Sequence, residues 1–287
     1  MNRNFDRAAE DMGNIVNLGH VNFRIADQRL ATAFYVTGLG LTRDPYMMSG
    51  TDNMWVNVGD SQFHLPTGPA LYASVTLTGL VTPDLDALAE RLAMVRGELA
   101  GTQFSFSRLD DCIEAVCPWG NRVRLHAPDE SRFGLFRQNM GYVEFEIGRG
   151  AAAVIGRFYR EVMGAGVDLH DGEARVSAGD HQHLVFREME HPQPPCPEHH
   201  VQIYLADFSR PYRWLRERNL IASENNKHQY GFNRIVDVDT GSPVFILDHE
   251  VRSMRHPMFG RSLVNRNAGQ TIRTYRAGQD ALAWRKG

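Results

Sequence analysis

The segment Gly19-His-Val-Asn-Phe-Arg-Ile-Ala-Asp27 aligns without a gap on His199-His-Val-Gln-Ile-Tyr-Leu-Ala-Asp207, with His, Val, Ala and Asp identical and the apolar alternation kept. An internal repeat constrains the fold more than composition does, because each copy is one supersecondary unit that must bury its apolar face against another. In both copies every second residue is apolar, the period of a β-strand, and the closing Asp is a candidate N-cap. A helical stretch follows each time. After Asp27 comes Gln28 to Val36, closed by Gly38 and Gly40, which suit a C-cap and a turn into a strand. After Asp207 comes Ser209 to Arg218, with Pro211 in the first turn, where its missing N–H costs nothing.

Two further copies are expected. One begins Gly141-Tyr-Val-Glu-Phe-Glu-Ile147 and continues through a helix from Ala151 to Met163, with Phe158-Tyr159 and Gly164 repeating the Phe34-Tyr35…Gly38 arrangement. The other begins Tyr72-Ala-Ser-Val-Thr-Leu77 and has Leu85, Leu88, Leu92 and Val95 at helical spacing. In these copies Tyr142 and Tyr72 are expected in the place of His20. Each copy ends in two or three β-like runs, the last being Phe232 to Val238 and Val244 to Leu247. The unit is therefore βαβββ, four times, an α+β chain. Residues 1–14 lead in, modules one and two fill a domain over 15–130, modules three and four a second over 139–252, and 253–287 form a basic tail.

Composition narrows the function classes. A formal net charge of -3 leaves no broad basic surface for a phosphate backbone, so no nucleic-acid partner is expected. No run of 18 apolar residues occurs, and Met1 to Asn17 lacks an apolar targeting core, so a soluble, cytoplasmic protein with no membrane partner is expected. The three cysteines Cys112, Cys117 and Cys196 contain no CxxC pair, which argues against a disulfide framework or a thiolate zinc site.

Leu18-Gly-His-Val, Phe34-Tyr…Gly38-Leu-Gly-Leu, Gln62-Phe-His-Leu-Pro66 and Pro118-Trp-Gly-Asn-Arg-Val-Arg124 resemble modules of the vicinal-oxygen-chelate superfamily, which includes glyoxalase I, bleomycin-resistance proteins and extradiol dioxygenases. The resemblance covers roughly residues 15 to 252 and implies two glyoxalase-like domains with cupped mixed sheets. Four modules in one chain resemble the extradiol ring-cleaving dioxygenases more than the two-module glyoxalases. It further implies a divalent metal held by side chains of first and last strands, with positions left open for a substrate bearing two neighbouring oxygens.

The first-strand place reads His20, Tyr72, Tyr142, His200, so only modules one and four offer imidazoles there. The chain is similar in this to the hydroquinone ring-cleaving branch, which implies that His20 and His200 share a cup as ligands of Fe(II) or Mn(II), a two-His, one-carboxylate set suiting iron. The family's carboxylate spacing leads to Phe245 or Ile246, whereas the carboxylates follow at Asp248 and Glu250. Period-2 geometry puts both on one face, so either is a candidate third ligand, given a bulge or a longer reach. His228 and Tyr230 resemble the acid–base pair of extradiol enzymes. His64, Tyr72, Tyr142, Arg124 and His183 are candidate substrate contacts, although a solvated arginine and satisfied histidines explain several of them equally well.

The leading expectation is a metal-dependent extradiol-type dioxygenase acting on a small dihydroxylated aromatic. The alternatives are a glyoxalase-like isomerase or lyase using His20 and His64, and a metal-free protein that sequesters an aromatic or antibiotic ligand. A pairing of modules one and two would instead set His126 beside His20 and His64. A homo-oligomer formed through sheet edges or the tail is compatible with the sequence.

Overall fold

A computed structural model describes residues 7–46, 52–69, 76–193 and 199–261. Module one is β1 (Ile15–Asn22), α1 (Gln28–Ala31, continued as a π-helix over Thr32–Gly38), β2 (Thr42–Arg43), β3 (Asn53–Val58) and β4 (Ser61–Pro66). Module two is β5 (Leu77–Val81), α2 (Leu85–Met94), β6 (Ser105–Arg108), β7 (Cys112–Val116) and β8 (Arg122–His126), and a short α3 (Glu130–Phe133) lies in the linker that follows. Module three is β9 (Asn139–Gly148), α4 (Ala151–Phe158, with a π-helix over Tyr159–Met163), β10 (Val167–His170), β11 (Glu173–Gly179) and β12 (Gln182–Met189). Module four is β13 (His200–Leu205), α5 (Ser209–Glu217), β14 (Ile221–Asn226), β15 (Gln229–Val236) and β16 (Pro243–Ser253). Four βαβββ units are thus present in chain order. As the repeat implies, Asp27 caps α1 by accepting from the N–H groups of Arg29 and Leu30.

Among the described residues the strands form two mixed eight-stranded sheets, β14-β15-β16-β13-β1-β4-β3-β2 and β10-β11-β12-β9-β5-β8-β7-β6. Modules one and four share the first sheet and modules two and three the second. The halves 15–130 and 139–252 therefore describe order along the chain, not the membership of a sheet. Packing between helices follows the halves instead: Leu92 of α2 and Val95 at its C-cap lie against Gly38, and Phe158 of α4 packs on Trp214 of α5.

Strand alternation separates two faces. On one, Leu18, Val21, Phe63, Leu65, Met54, Val56, Val201, Ile203, Leu205, Leu247 and Val251 join the main core. On the other stand His20, Asn22, Gln62, His64, His200, Gln202, Asp248, Glu250 and Arg252, mutual neighbours by register. Strand β16 runs well past the Val244–Leu247 expected from the sequence, because its inward residues keep finding core while its edges pair with both β13 and β15. Glu250 and Arg252 are consequently strand residues, and the strand continues to Ser253, the first residue assigned to the tail.

The two sheets are joined through buried Gln182. Its Oε1 accepts from the Leu18 N–H at 3.1 Å and from the Asn17 amide at 3.3 Å. Its Nε2 donates to Ser61 Oγ at 2.8 Å and to the Met140 carbonyl at 3.0 Å. Truncating this side chain strands several buried partners at once, each unmade bond to a buried group costing about 1–3 kcal/mol. Gln182→Ala is therefore expected to lower the unfolding free energy by about 2–4 kcal/mol with an unchanged denaturant slope, as measured by urea unfolding.

Candidate metal centre

The antiparallel pairing of β1 and β13 sets His20 opposite Gln202 and Val21 opposite Val201, with a bulge between Leu18 and His20. His20 and His200 are thereby diagonal neighbours on one face, and their Nε2 atoms lie 3.0 Å apart. Gly19 is required beside them, since a Cβ there would fall 1.9 Å from Gln202 Oε1. His64 completes a cluster in which one nitrogen from each of the three rings lies within 4.8 Å of the others.

Each module supplies its part by the same rule. In module one β4 runs parallel to β1, with Gln62 beside His20 and His64 beside Asn22. In module four β16 runs parallel to β13, with Asp248 beside His200 and Glu250 beside Gln202. His64 and Glu250 therefore occupy equivalent places, two residues beyond the repeated histidine. Module four thus carries a carboxylate at the last-strand place, although the family's sequence spacing pointed to Phe245 or Ile246.

The donor chemistry fits a divalent cation. Burial holds His20 neutral far below the usual histidine range, reinforced by the charges of His200 and Arg252. Burial likewise takes His64 to about 3 and His200 to about 4. Neutral imidazoles are the ligand form. Two nitrogens each about 2.1 Å from one ion at about 90° would be about 3.0 Å apart. His20 and His200 have that spacing, at which one ring's Nε2–H donates to the other's Nε2 while no ion lies between them.

His64 is held differently. Its Nδ1 accepts from the Asn22 amide at 3.3 Å and its Nε2–H donates to Asn53 Oδ1 at 2.7 Å, which fixes the tautomer. The ring stacks on Trp55 at 3.9 Å. Glu250 pairs with Arg252, Oε1 to Nη2 at 2.6 Å, and burial raises its pKa more than that arginine lowers it. Burial also raises the pKa of Asp248.

A cavity of about 300 Å³ is lined by Gln62, Gln202, Tyr204 and Arg252, neighbours of the cluster in sheet register, by the carboxylates Asp60 and Asp180 and, from beyond β16, by Met258 and Phe259; the three histidines themselves do not line it. Phe259 packs on Tyr204, with ring centroids 4.9 Å apart, and Met258 packs against Tyr46 and Trp55. Arg252, Tyr204, Gln202, Asn22, Asn53 and Trp55 were not singled out in the sequence. The signal available was the period of two: Gln202 and Tyr204 follow His200, and Arg252 follows Glu250, on the same face.

Other predicted residues lie elsewhere. Tyr230 is buried in the main core against Phe208 and Tyr212, on the face of β15 away from the histidines. His228 sits in the turn before β15, beside Ser253 and His256. The alternation that exposes Gln229 to Arg252 turns Tyr230 inward, so this pair is not brought to the cluster. Arg124, Tyr142 and His183 belong to the second sheet. Arg124 pairs with Glu114 at 2.8 Å, Tyr142 OH meets His126 Nε2 at 3.0 Å, and His183 lies beside Tyr142 in register. Tyr72 and Cys196 lie outside the described residues. The place of His20 in module two belongs by register to Leu77, which is opposite Glu144 and beside Arg122. The second cup thus offers Leu77, Arg124, Tyr142 and Val185 where the first offers His20, His64, His200 and Glu250, and it is packed with Phe133 and Phe136.

The four modules share their fold with known structures. A provisionally assigned dioxygenase from Bacillus subtilis superposes with a TM-score of 0.56 at 13% identity, over 85% of this chain and 86% of its own. Glyoxalase I from Zea mays does so with a TM-score of 0.56 at 13% identity, over 83% of this chain and 92% of its own. No protein-family model and no curated protein sequence matches the chain. No helix among the described residues is long and apolar enough to cross a membrane.

Beyond His20, His64 and His200, burial also depresses His199, His249 and His183 to about 3 and His126 to about 4. Each binds a proton near 6.5 when unfolded and much lower when folded, so the unfolded state takes up protons first as pH falls. Their contribution to stability is complete above pH of about 6.5 and is lost progressively toward pH of about 3–4. The melting temperature of chelator-treated protein, followed by calorimetry, is expected to be level between pH 7 and 8 and to fall steadily from pH 6.5 to 5. A flat profile over that lower range would contradict the neutral histidine cluster.

Proposed function

We propose that the chain is a metal-dependent oxygenase of the extradiol type, using Fe(II) or Mn(II) to open a small dihydroxylated aromatic ring. The reading rests above all on the 3.0 Å approach of the His20 and His200 Nε2 atoms, two buried neutral imidazoles spaced as adjacent ligands of one ion. Glu250, on the strand beside β13, supplies the carboxylate of a two-His, one-carboxylate set, with Asp248 as the nearer alternative to His200 by register.

A bound divalent ion would acidify a substrate hydroxyl and give the ring and O₂ a common point of attachment. The remaining steps belong to side chains. Tyr204, Gln202 and Arg252 line the cavity and orient the substrate. His64 takes the proton-handling role expected of His228: it is neutral, Asn53 holds its Nε2–H, its Nδ1 lone pair can take a proton once it gives up the long 3.3 Å contact with the Asn22 amide, and Trp55 holds its plane. Met258 and Phe259 close one side of the cavity and limit water.

A glyoxalase-like isomerase or lyase is the second reading, favoured by the His20–His64–His200 cluster and by Glu250 standing where module one has His64. There all four side chains would serve as ligands, His64 on giving up one of its contacts with Asn22 and Asn53, and O₂ would take no part. Protein purified without chelator is expected to hold near-stoichiometric iron or manganese by elemental mass spectrometry, and His200→Ala to lose most of it. Oxygen uptake with catechols or hydroquinones would then support the oxygenase; bound metal without uptake for any of them would favour the isomerase. An absence of metal even after anaerobic Fe(II) reconstitution would leave a binding protein.

A further inference from the structure

Glu250 and Arg252 are consecutive outward residues of β16, both half-buried, with side-chain exposures of 22% and 13%. Their charged groups meet as a close ion pair, Glu250 Oε1 to Arg252 Nη2 at 2.6 Å. The guanidinium is anchored from other sides, its Nε donating to Gln229 Oε1 at 3.1 Å and its Nη1 reaching Tyr204 OH at 3.5 Å.

Two further observations bear on what this arginine does. By register it lies beside Tyr204, as Glu250 lies beside Gln202 and Asp248 beside His200, so it shares the face that carries the cluster. It also lines the cavity with Tyr204 and Gln202, and the Gln202 Nε2 is buried without a partner in a residue only 1% exposed. A buried amide donor left unpaired costs about 1–3 kcal/mol, which a ligand oxygen would recover. A planar guanidinium fork, a phenol and an unpaired amide together match a carboxylate.

We propose that Arg252 and a divalent cation exchange on Glu250: when the cation takes the carboxylate, the guanidinium turns its fork to a carboxylate group of the substrate, assisted by the Gln202 amide and Tyr204. The substrate class is accordingly a small aromatic carboxylate whose metal-binding oxygens lie elsewhere on the ring. This rests on the metal-centre reading above, but not on the reaction being an oxygenation. Arg252 acts as a positioning residue and as a competitor for the ligand carboxylate.

Chelator-stripped parent, Arg252→Gln and Arg252→Lys are titrated with Mn(II) by calorimetry, and the Mn(II)-loaded forms are then titrated with benzoate. Removing the competitor is expected to tighten Mn(II) binding about tenfold or more in Arg252→Gln, with Arg252→Lys in between. Benzoate is expected to bind the loaded parent and to bind loaded Arg252→Gln at least about tenfold more weakly. If Arg252→Gln melts below the working temperature, Arg252→Lys carries both comparisons in the same directions. Mn(II) binding no tighter in the variants, or benzoate affinity equal to the parent's, would overturn the exchange while leaving the metal centre standing. Failure of every form to bind Mn(II) would overturn both. Binding as expected without oxygen uptake would support the exchange and remove only the oxygenase.

Discussion

The antiparallel ladder between β1 and β13 is the interaction on which the site depends. Its register, Val21 opposite Val201 and His20 opposite Gln202, seats the valines in the core and turns the repeated histidines of modules one and four to the other face. A slip of one residue would send the imidazoles into the core and the valines into the cavity. The apolar residues of both strands hold the pairing against that slip. The bulge after Leu18 and the absence of a side chain at Gly19 admit Gln202 and bring the two rings to a common point.

The second sheet has the same topology and a different fate. Where the first cup has imidazoles and a carboxylate, the second has Leu77, Val185, Tyr142 and Arg124. A guanidinium and alkyl groups offer a cation nothing. The space is instead filled from the linker, with Phe133 packed on Gly141 and Tyr142 lying over Gly79, where a Cβ would come 2.1 Å from the ring. Its charges are spent on one another, Arg122 and Arg124 on Glu114 and Arg187 on Glu144 and Glu173. Duplication of a module preserves the sheet, because backbone pairing is indifferent to outward side chains; the chemistry survives only where those side chains do.

Much of the architecture was legible in the chain. The Gly19–Asp27 and His199–Asp207 repeat, the Phe-Tyr…Gly endings of α1 and α4 and the helical spacing of Leu88 and Leu92 each reflect a local rule of period or capping, and each element formed where that rule placed it. His20, His64 and His200 were visible as candidates for the same reason, since strand alternation puts them on the face opposite the core. Tyr230 obeyed that alternation too, in the inward sense, which is why a likeness in sequence position did not carry it to the cluster. The first strand of module two was expected from Tyr72, which lies outside the described residues; the register with β8 and β9 gives the place of His20 to Leu77.

The sequence by itself determined the module, its count and the side chains available to a site, because these follow from local periodicity and from repetition along the chain. Tertiary structure alone decided that module one pairs with four, that β16 extends far enough to present Glu250, and that Arg252 stands between that carboxylate and the cavity. These depend on contacts between residues far apart in the chain, whose energies are set by burial and register across sheets. No local pattern encodes them.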